Sequence, residues 1–141
     1  MTAMTRPDVD IEEDIRKIIA HYPPLQADRY QLHLEAHGGA VTLSGHVKSL
    51  INHRYLVDRV RAIDGVSSVN SDQLYCEETI RIESGRPLPK GVIANAVYGT
   101  VILTGTLPQG KTAEDVVKDV ALIPGVVRVV TKLQSSEVVS L

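Results

Sequence analysis

Near the start of the chain, apolar residues recur at the spacing of one helical face. Over residues 11–22 that face is formed by Ile11, Ile15, Ile18, Ile19 and Tyr22. Asp10 can cap the start of this helix, and Pro23 and Pro24 end it. The pattern therefore predicts an amphipathic helix that buries its isoleucine face.

The next segment alternates between apolar and polar residues, which is typical of strands. The alternation covers residues 31–37 and resumes over residues 40–47. The glycine pair at 38–39 between them predicts a hairpin turn. Ser49 then favours the start of a second helix, because its hydroxyl can cap the first turn. Residues 50–63 carry the helical spacing that follows.

A third strand is predicted after Gly65, which ends the second helix. This strand begins at Val66. Because a helical crossover returns the chain parallel to the second strand, we expect the third strand to lie beside the first, with both helices on one face. The element order of this segment is therefore αββαβ.

The same pattern returns sixty residues later. Residues 39–69 align without a gap on residues 99–129, with ten identities in 31 positions. The identities are mostly glycines, which mark turns, and apolar residues, which mark a core. Such a repeat indicates a duplicated structural unit and carries no reactive group.

The second unit is predicted to be incomplete. Its strands are expected near 91–97, 100–107 and 126–133, with a helix near 112–122. The segment that corresponds to the first helix, residues 71–82, alternates more like a strand. The sequence therefore predicts an α+β protein of two αββαβ-type repeats with three-stranded mixed sheets, the second repeat lacking its first helix.

These motifs resemble the BON domain, the bacterial OsmY and nodulation family of binding domains. The resemblance lies in an opening amphipathic helix, then Gly-x-Val-x-Leu-x-Gly, then a helix ending in Gly-Val-x-x-Val, and the latter two motifs occur twice. They are formed by Gly39, Val41, Leu43, Gly45, Gly65, Val66 and Val69, and again by Gly99, Val101, Leu103, Gly105, Gly125, Val126 and Val129. The resemblance implies a tandem BON protein, phospholipid binding and a link to bacterial envelope stress. A cytosolic member of the family binds potassium.

The domain boundaries follow from the repeat and this resemblance. We expect a disordered N-terminus over 1–9, a first BON-like repeat over 10–76, a truncated second repeat over 77–133 and a tail over 134–141.

The composition of the chain limits the classes of partner that are expected. Hydrophobic residues make up 43% of the chain and charged residues 23%, which is typical of a globular protein. The formal net charge is -2 and the chain has neither Phe nor Trp, so no nucleic acid partner is expected.

Residues 1–10 hold no apolar run, and Cys76 has no internal disulfide partner, so we expect a cytoplasmic location. The sequence holds no P-loop and no nucleophile elbow, so no enzyme activity and no cofactor are expected.

The outward face of the second predicted helix combines apolar groups with cations. A membrane- or partner-facing patch is predicted there from Lys48, Ile51, Arg54, Tyr55 and Arg61. The alternative is an ordinary surface, because isolated exposed apolar residues are common.

Two further surface features are candidates. The predicted hairpin makes His33 and His46 diagonal neighbours, which would allow a shared zinc ion, a pH-sensitive patch or simply a solvated polar face. In the second unit, Ile93, Val97 and Ile102 face outward and predict an interface with the first repeat or, in a homodimer, with a second subunit. A register slip of one residue would instead turn these three inward.

Two hypotheses for function remain open from the sequence. The first is a non-enzymatic cytosolic binding module that docks on an anionic membrane surface or a protein partner. The second is a sensor of a small ligand or a cation such as potassium, held by backbone carbonyls.

Overall fold

The computed structural model describes residues 6–135, which form two compact units. The boundary between the units falls between Cys76 and Glu77. Each unit has an opening helix, a β-hairpin, a crossover helix and a final strand, and unit 1 has a short helix and a 3-10 turn in addition before its hairpin. Within the described residues, no helix combines the length and the apolar character needed to cross a bilayer.

Unit 1 begins with two helices and a short 3-10 turn that precede its sheet. Its elements are α1 (Asp8–His21), α2 (Pro23–Gln26), a 3-10 turn (Arg29–Gln31), β1 (Leu32–His37), β2 (Ala40–Val47), α3 (Leu50–Arg61) and β3 (Ser68–Cys76). The inner face of α1 buries Ile11, Ile15 and Ile19, as its periodicity predicts. These isoleucines pack with Val41 and Leu43 of β2 in the core of the unit.

The start of α1 differs from the prediction that Asp10 caps it. The helix begins at Asp8 after Pro7, whose fixed φ suits the entry to a helix, and Asp10 lies inside the first turn. The predicted disorder over 1–9 is also wrong for the described part of that range. Arg6 forms an ion pair with Asp14 at 2.7 Å and donates to the carbonyl of Asp64 at 3.1 Å. Residues 1–5 lie outside the described residues.

The sheet of unit 1 has the order β1-β2-β3. β1 and β2 are antiparallel, with His33 opposite Ser44, and Gly38 and Gly39 form the turn with positive φ. β3 runs parallel to β2, as predicted, but it pairs with β2 and does not lie beside β1. The hairpin occupies only one edge of β2, so a single crossover helix can bring the chain back to the other edge.

Unit 2 repeats this arrangement with shorter connections. Its elements are α4 (Glu77–Gly85), β4 (Val92–Val97), β5 (Thr100–Leu107), α5 (Ala113–Ala121) and β6 (Arg128–Ser135). The sheet order is β4-β5-β6, with the same antiparallel and parallel pairs as in unit 1. β6 includes residues 134–135, which were predicted to belong to the tail, and the rest of that predicted tail, residues 136–141, lies outside the described residues.

The prediction that the second repeat lacks its first helix is wrong. α4 is that helix, and it begins where β3 ends. Its buried positions are Glu77, Ile80 and Ser84, so only one of them is apolar and no hydrophobic stripe marks the helix in the sequence. α2 and the 3-10 turn have no counterpart in unit 2, which shortens the path from helix to hairpin and moves α4 out of the sixty-residue register.

The hairpins confirm that the two repeats share one local fold. Gly45 and Gly105 both have positive φ, at 109° and 116°. A Cβ at either position would collide with the carbonyl oxygen of Gln31 or Gly91, just before the first strand of its hairpin. The repeated glycine is therefore required by the close approach of two backbone segments.

Candidate functional site

α3 is fixed to unit 1 by its buried face and by its first turn. Ser49 caps the helix by accepting from the Asn52 backbone N–H at 3.1 Å, as predicted. The Asn52 side chain donates to the Pro24 carbonyl at 3.1 Å and to the buried Asp28 carboxylate at 3.3 Å. Asp28 also accepts from the backbone N–H of Lys48 at 3.3 Å. The start of α3 therefore has a defined position next to α2.

The opposite side of this first turn projects apolar side chains from the surface. Ile51 is 73% exposed and Leu50 is 50% exposed. Leu50 was not among the predicted patch residues. From the sequence alone, an apolar residue at the first helical position could equally belong to the buried face. Its exposure could have been predicted only from the cap at Ser49, which fixes where the helix begins.

Exposed cations border these two residues. Leu50, Ile51 and Arg54 line one shallow depression together with Asp58, and Leu50, Arg54 and Arg61 line the next one along the helix. Lys48 is exposed and precedes the helix. We call the surface formed by Lys48, Leu50, Ile51, Arg54 and Arg61 the α3 face.

Tyr55 differs from the other predicted patch residues because it is half-buried. Its ring stacks on Tyr22, with centroids 3.7 Å apart and planes 14° from parallel. The Arg59 guanidinium lies 5.0 Å from the centroid of the same ring. Although Tyr55 borders the first depression, its ring contact with Tyr22 joins α3 to the end of α1. Tyr55 therefore helps to hold the α3 face in position.

A model of the BON domain family matches residues 7–75, which is almost the whole of unit 1. The match includes α1, the β1–β2 hairpin and α3. Residues 7–75 form a BON domain. BON domains are binding modules, and unit 2 has the same sheet topology, although it lacks counterparts of α2 and the 3-10 turn.

Comparisons with other proteins add little to this family match. No curated protein sequence matches the chain at a significant level. A solved structure of the C-terminal domain of CdsD, a structural protein of the type III secretion system of Chlamydia trachomatis, is similar with a TM-score of 0.40 and 14% identity. It covers 94% of this chain and 100% of that one. A second CdsD structure gives 0.36 and 15%, covering 89% of this chain and 92% of that one. At these TM-scores the likeness carries no conclusion about this protein.

The outer face of the BON domain sheet carries the predicted histidines. His33 is exposed on β1, whereas His46 is half-buried and lies beside the Tyr75 ring, with centroids 5.7 Å apart. His37 donates to the Glu35 carboxylate at 3.0 Å, and this hydrogen bond raises the pKa of the imidazole. No group of three or more potential metal ligands occurs within residues 6–135.

His53 lies on the sheet side of α3 in the BON domain. Its Nε2 is 3.2 Å from the carbonyl oxygen of Leu74, so the ring is hydrogen-bonded, as expected for a structural histidine.

Unit 2 presents its predicted apolar residues on the outer face of its own sheet. Ile93 is 68% exposed and Val97 is 48% exposed on β4. Ile102 of β5 is half-buried and pairs with the half-buried Val130 of β6. The alternation that was predicted for β4 and β5 therefore holds, and what covers these residues stays a prediction.

Proposed function

We propose that the BON domain docks on an anionic phospholipid surface through the α3 face, and that the chain acts by binding and not by catalysis. The observation that carries the proposal is the exposed pair Leu50 and Ile51 at the start of a fixed helix, bordered by cations. Adjacent exposed aliphatic residues on a rigid first turn are suited to shallow insertion at the boundary of headgroups and acyl chains.

The charge around this pair supports an anionic target. Residues 48–61 contain four cations and a single carboxylate, Asp58, although the whole chain has a formal net charge of -2. Each basic residue close to an anionic leaflet contributes about 1 kcal/mol of attraction. Partial burial of Leu50 and Ile51 adds a comparable hydrophobic contribution. For the three cations of the α3 face and these two side chains, the sum is on the order of 5 kcal/mol, which corresponds to reversible binding of sub-millimolar affinity.

The equivalent helix of unit 2 lacks this combination. The first turn of α5 carries Glu114 and Asp115, and Asp115 completes a capping box with Thr112. Two carboxylates at that position would be repelled by anionic lipid. We therefore assign docking to unit 1 alone.

Charge reversal tests the proposal. In flotation with vesicles of phosphatidylglycerol and phosphatidylcholine, Arg54→Glu with Arg61→Glu is expected to reduce bound protein at least tenfold, because two attractions become repulsions. The salt dependence of the remaining binding is expected to flatten.

The matched control is Arg81→Glu with Arg128→Glu, which makes the same change in net charge at two exposed positions of unit 2. This control is expected to float as the unchanged protein does. Equal loss in both double variants would mean that net charge, and not the α3 face, governs binding, and unchanged flotation of the Arg54 and Arg61 variant would remove the proposal.

A further inference from the structure

A cleft of about 450 Å³ lies along β1, the edge strand of the unit 1 sheet. The second half of α1 and the 3-10 turn form its other sides, and its volume is within the range of small-molecule sites. Its apolar wall consists of Ile19, Leu32 and Leu34, which pack against the core of the unit. The wall can therefore take a short apolar chain without any rearrangement of the core.

The rim of the cleft is cationic. Arg16 and Arg29 both line it, and no Asp or Glu is among the described residues that do so. Arg29 is held in place, because its guanidinium donates to the Gln26 carbonyl at 3.4 Å and to the Tyr30 hydroxyl at 3.0 Å. The cleft thus offers two guanidinium groups beside an apolar wall, an arrangement that suits an anion with an apolar body.

A carboxylate of the protein itself shows how this strand edge binds such a group. The Glu12 side chain, from α1, accepts from the backbone N–H of Ala36 at 3.0 Å. Because alternate residues of a strand direct their N–H groups to the same edge, the N–H of Leu34 points toward the cleft. Arg16 follows Glu12 by one helical turn and lines the same cleft as Leu34. One turn after the Glu12 carboxylate, α1 therefore carries a guanidinium group. This group can attract a carboxylate that is supplied by a ligand.

We propose that the cleft binds a small monocarboxylate with an apolar chain. The carboxylate accepts hydrogen bonds from the Leu34 N–H and from the guanidinium groups of Arg16 and Arg29, and the chain lies along Ile19 and Leu32. This site is separate from the α3 face and does not depend on membrane docking. Unit 2 has no counterpart of the 3-10 turn that carries Arg29, so one ligand binds per chain.

A titration of the ¹⁵N-labelled full chain with sodium octanoate, below its micelle concentration and without vesicles, tests this site. The amide signals of Leu34 and its neighbours are expected to shift in a saturable way with a stoichiometry of one. Arg16→Gln and Arg29→Gln are each expected to weaken binding about tenfold, because each removes a charge-assisted hydrogen bond. Octanol, the neutral analogue, is expected to bind far more weakly than octanoate.

The control variant is Arg54→Gln with Arg61→Gln, which removes two charges from the α3 face and is expected to bind octanoate normally. Arg16 and Arg29 are exposed, so their glutamine variants are expected to fold. Thermal melting of each variant checks this. The proposal is overturned if octanol binds as tightly as octanoate, if folded Arg16→Gln and Arg29→Gln variants bind normally, or if the Leu34 amide does not respond. It is also overturned if only octyl phosphate binds, because that result would assign the cleft to phosphate esters.

Discussion

At the first position of each opening helix, a carboxylate holds the turn of the hairpin that follows. Asp8 of α1 accepts from the backbone N–H groups of Gly38 and Gly39 at 3.0 and 3.2 Å, and Glu77 of α4 accepts from Gly99 at 3.0 Å. The Asp8 contact spans 31 residues to Gly39, whereas the Glu77 contact spans 22. In both units, the first residue of the opening helix thus ties the hairpin turn to that helix.

The buried hydroxyl of Ser84 is expected to lower the stability of unit 2. It is completely buried in α4, and its hydroxyl has no hydrogen-bond partner among the described residues. Ser84→Ala is expected to raise the free energy of unfolding by about 1 kcal/mol, because it removes an unsatisfied polar group. Thermal or urea unfolding of the full chain measures this change.

Thr79→Ala is the matched control for Ser84→Ala. It removes a hydroxyl from an exposed position of the same helix, so it changes mainly helix propensity, by a few tenths of a kcal/mol. If Ser84→Ala is no more stabilising than Thr79→Ala, the buried hydroxyl carries no penalty and our account of this residue is wrong.

At the scale of elements, the strands and the second helices could be predicted because their signals are local. The glycine pair at 38–39 and the cap residue Ser49 act within a few positions of the chain, and the structure has both as expected. α4 could not be predicted, because its inner face is Glu77, Ile80 and Ser84 and its carboxylate acts on a turn far along the sequence. A helix whose inner face carries a single apolar residue leaves no periodic pattern in the sequence.

The outer face of the unit 2 sheet carries a prediction at the same scale. We propose that Ile93, Val97 and Ile102 form an interface with a second copy of the chain, because the exposed Ile93 and Val97 and the half-buried Ile102 share one sheet face, and clustered apolar residues at a surface usually mark a contact. Ile93→Lys with Ile102→Lys is expected to lower the mass measured by light scattering from a dimer to a monomer, since it places charges in an isologous apolar contact.

Val127→Lys is the control for the interface, because Val127 is also exposed and apolar but precedes β6. It is expected to leave the mass unchanged. A double variant that keeps both the melting temperature and the mass of the unchanged protein would show that this face is neither core nor interface.

At the scale of the whole molecule, the two units share a fold but differ in surface chemistry. The cationic residues of the α3 face were visible in the sequence because they lie within one helix, although the half-buried position of Tyr55 was not. The cleft could not be predicted from the sequence, because Arg16, Arg29 and Leu34 belong to three separate elements that line one cleft only in the folded chain. Sites within one element can be predicted from spacing, whereas sites between elements need the register of the fold.

Membrane docking through the α3 face requires that the first turn of α3 enters the anionic surface. The chain contains no Trp, so Ile51→Trp introduces a single fluorophore at the centre of the α3 face. Val127→Trp places the same fluorophore at an equally exposed apolar position of unit 2. With phosphatidylglycerol vesicles, we expect the emission of Ile51→Trp to shift to the blue and to be quenched by brominated acyl chains, while Val127→Trp stays unchanged. An unshifted Ile51→Trp spectrum under conditions where the protein floats with the vesicles would show that the protein binds them through another surface.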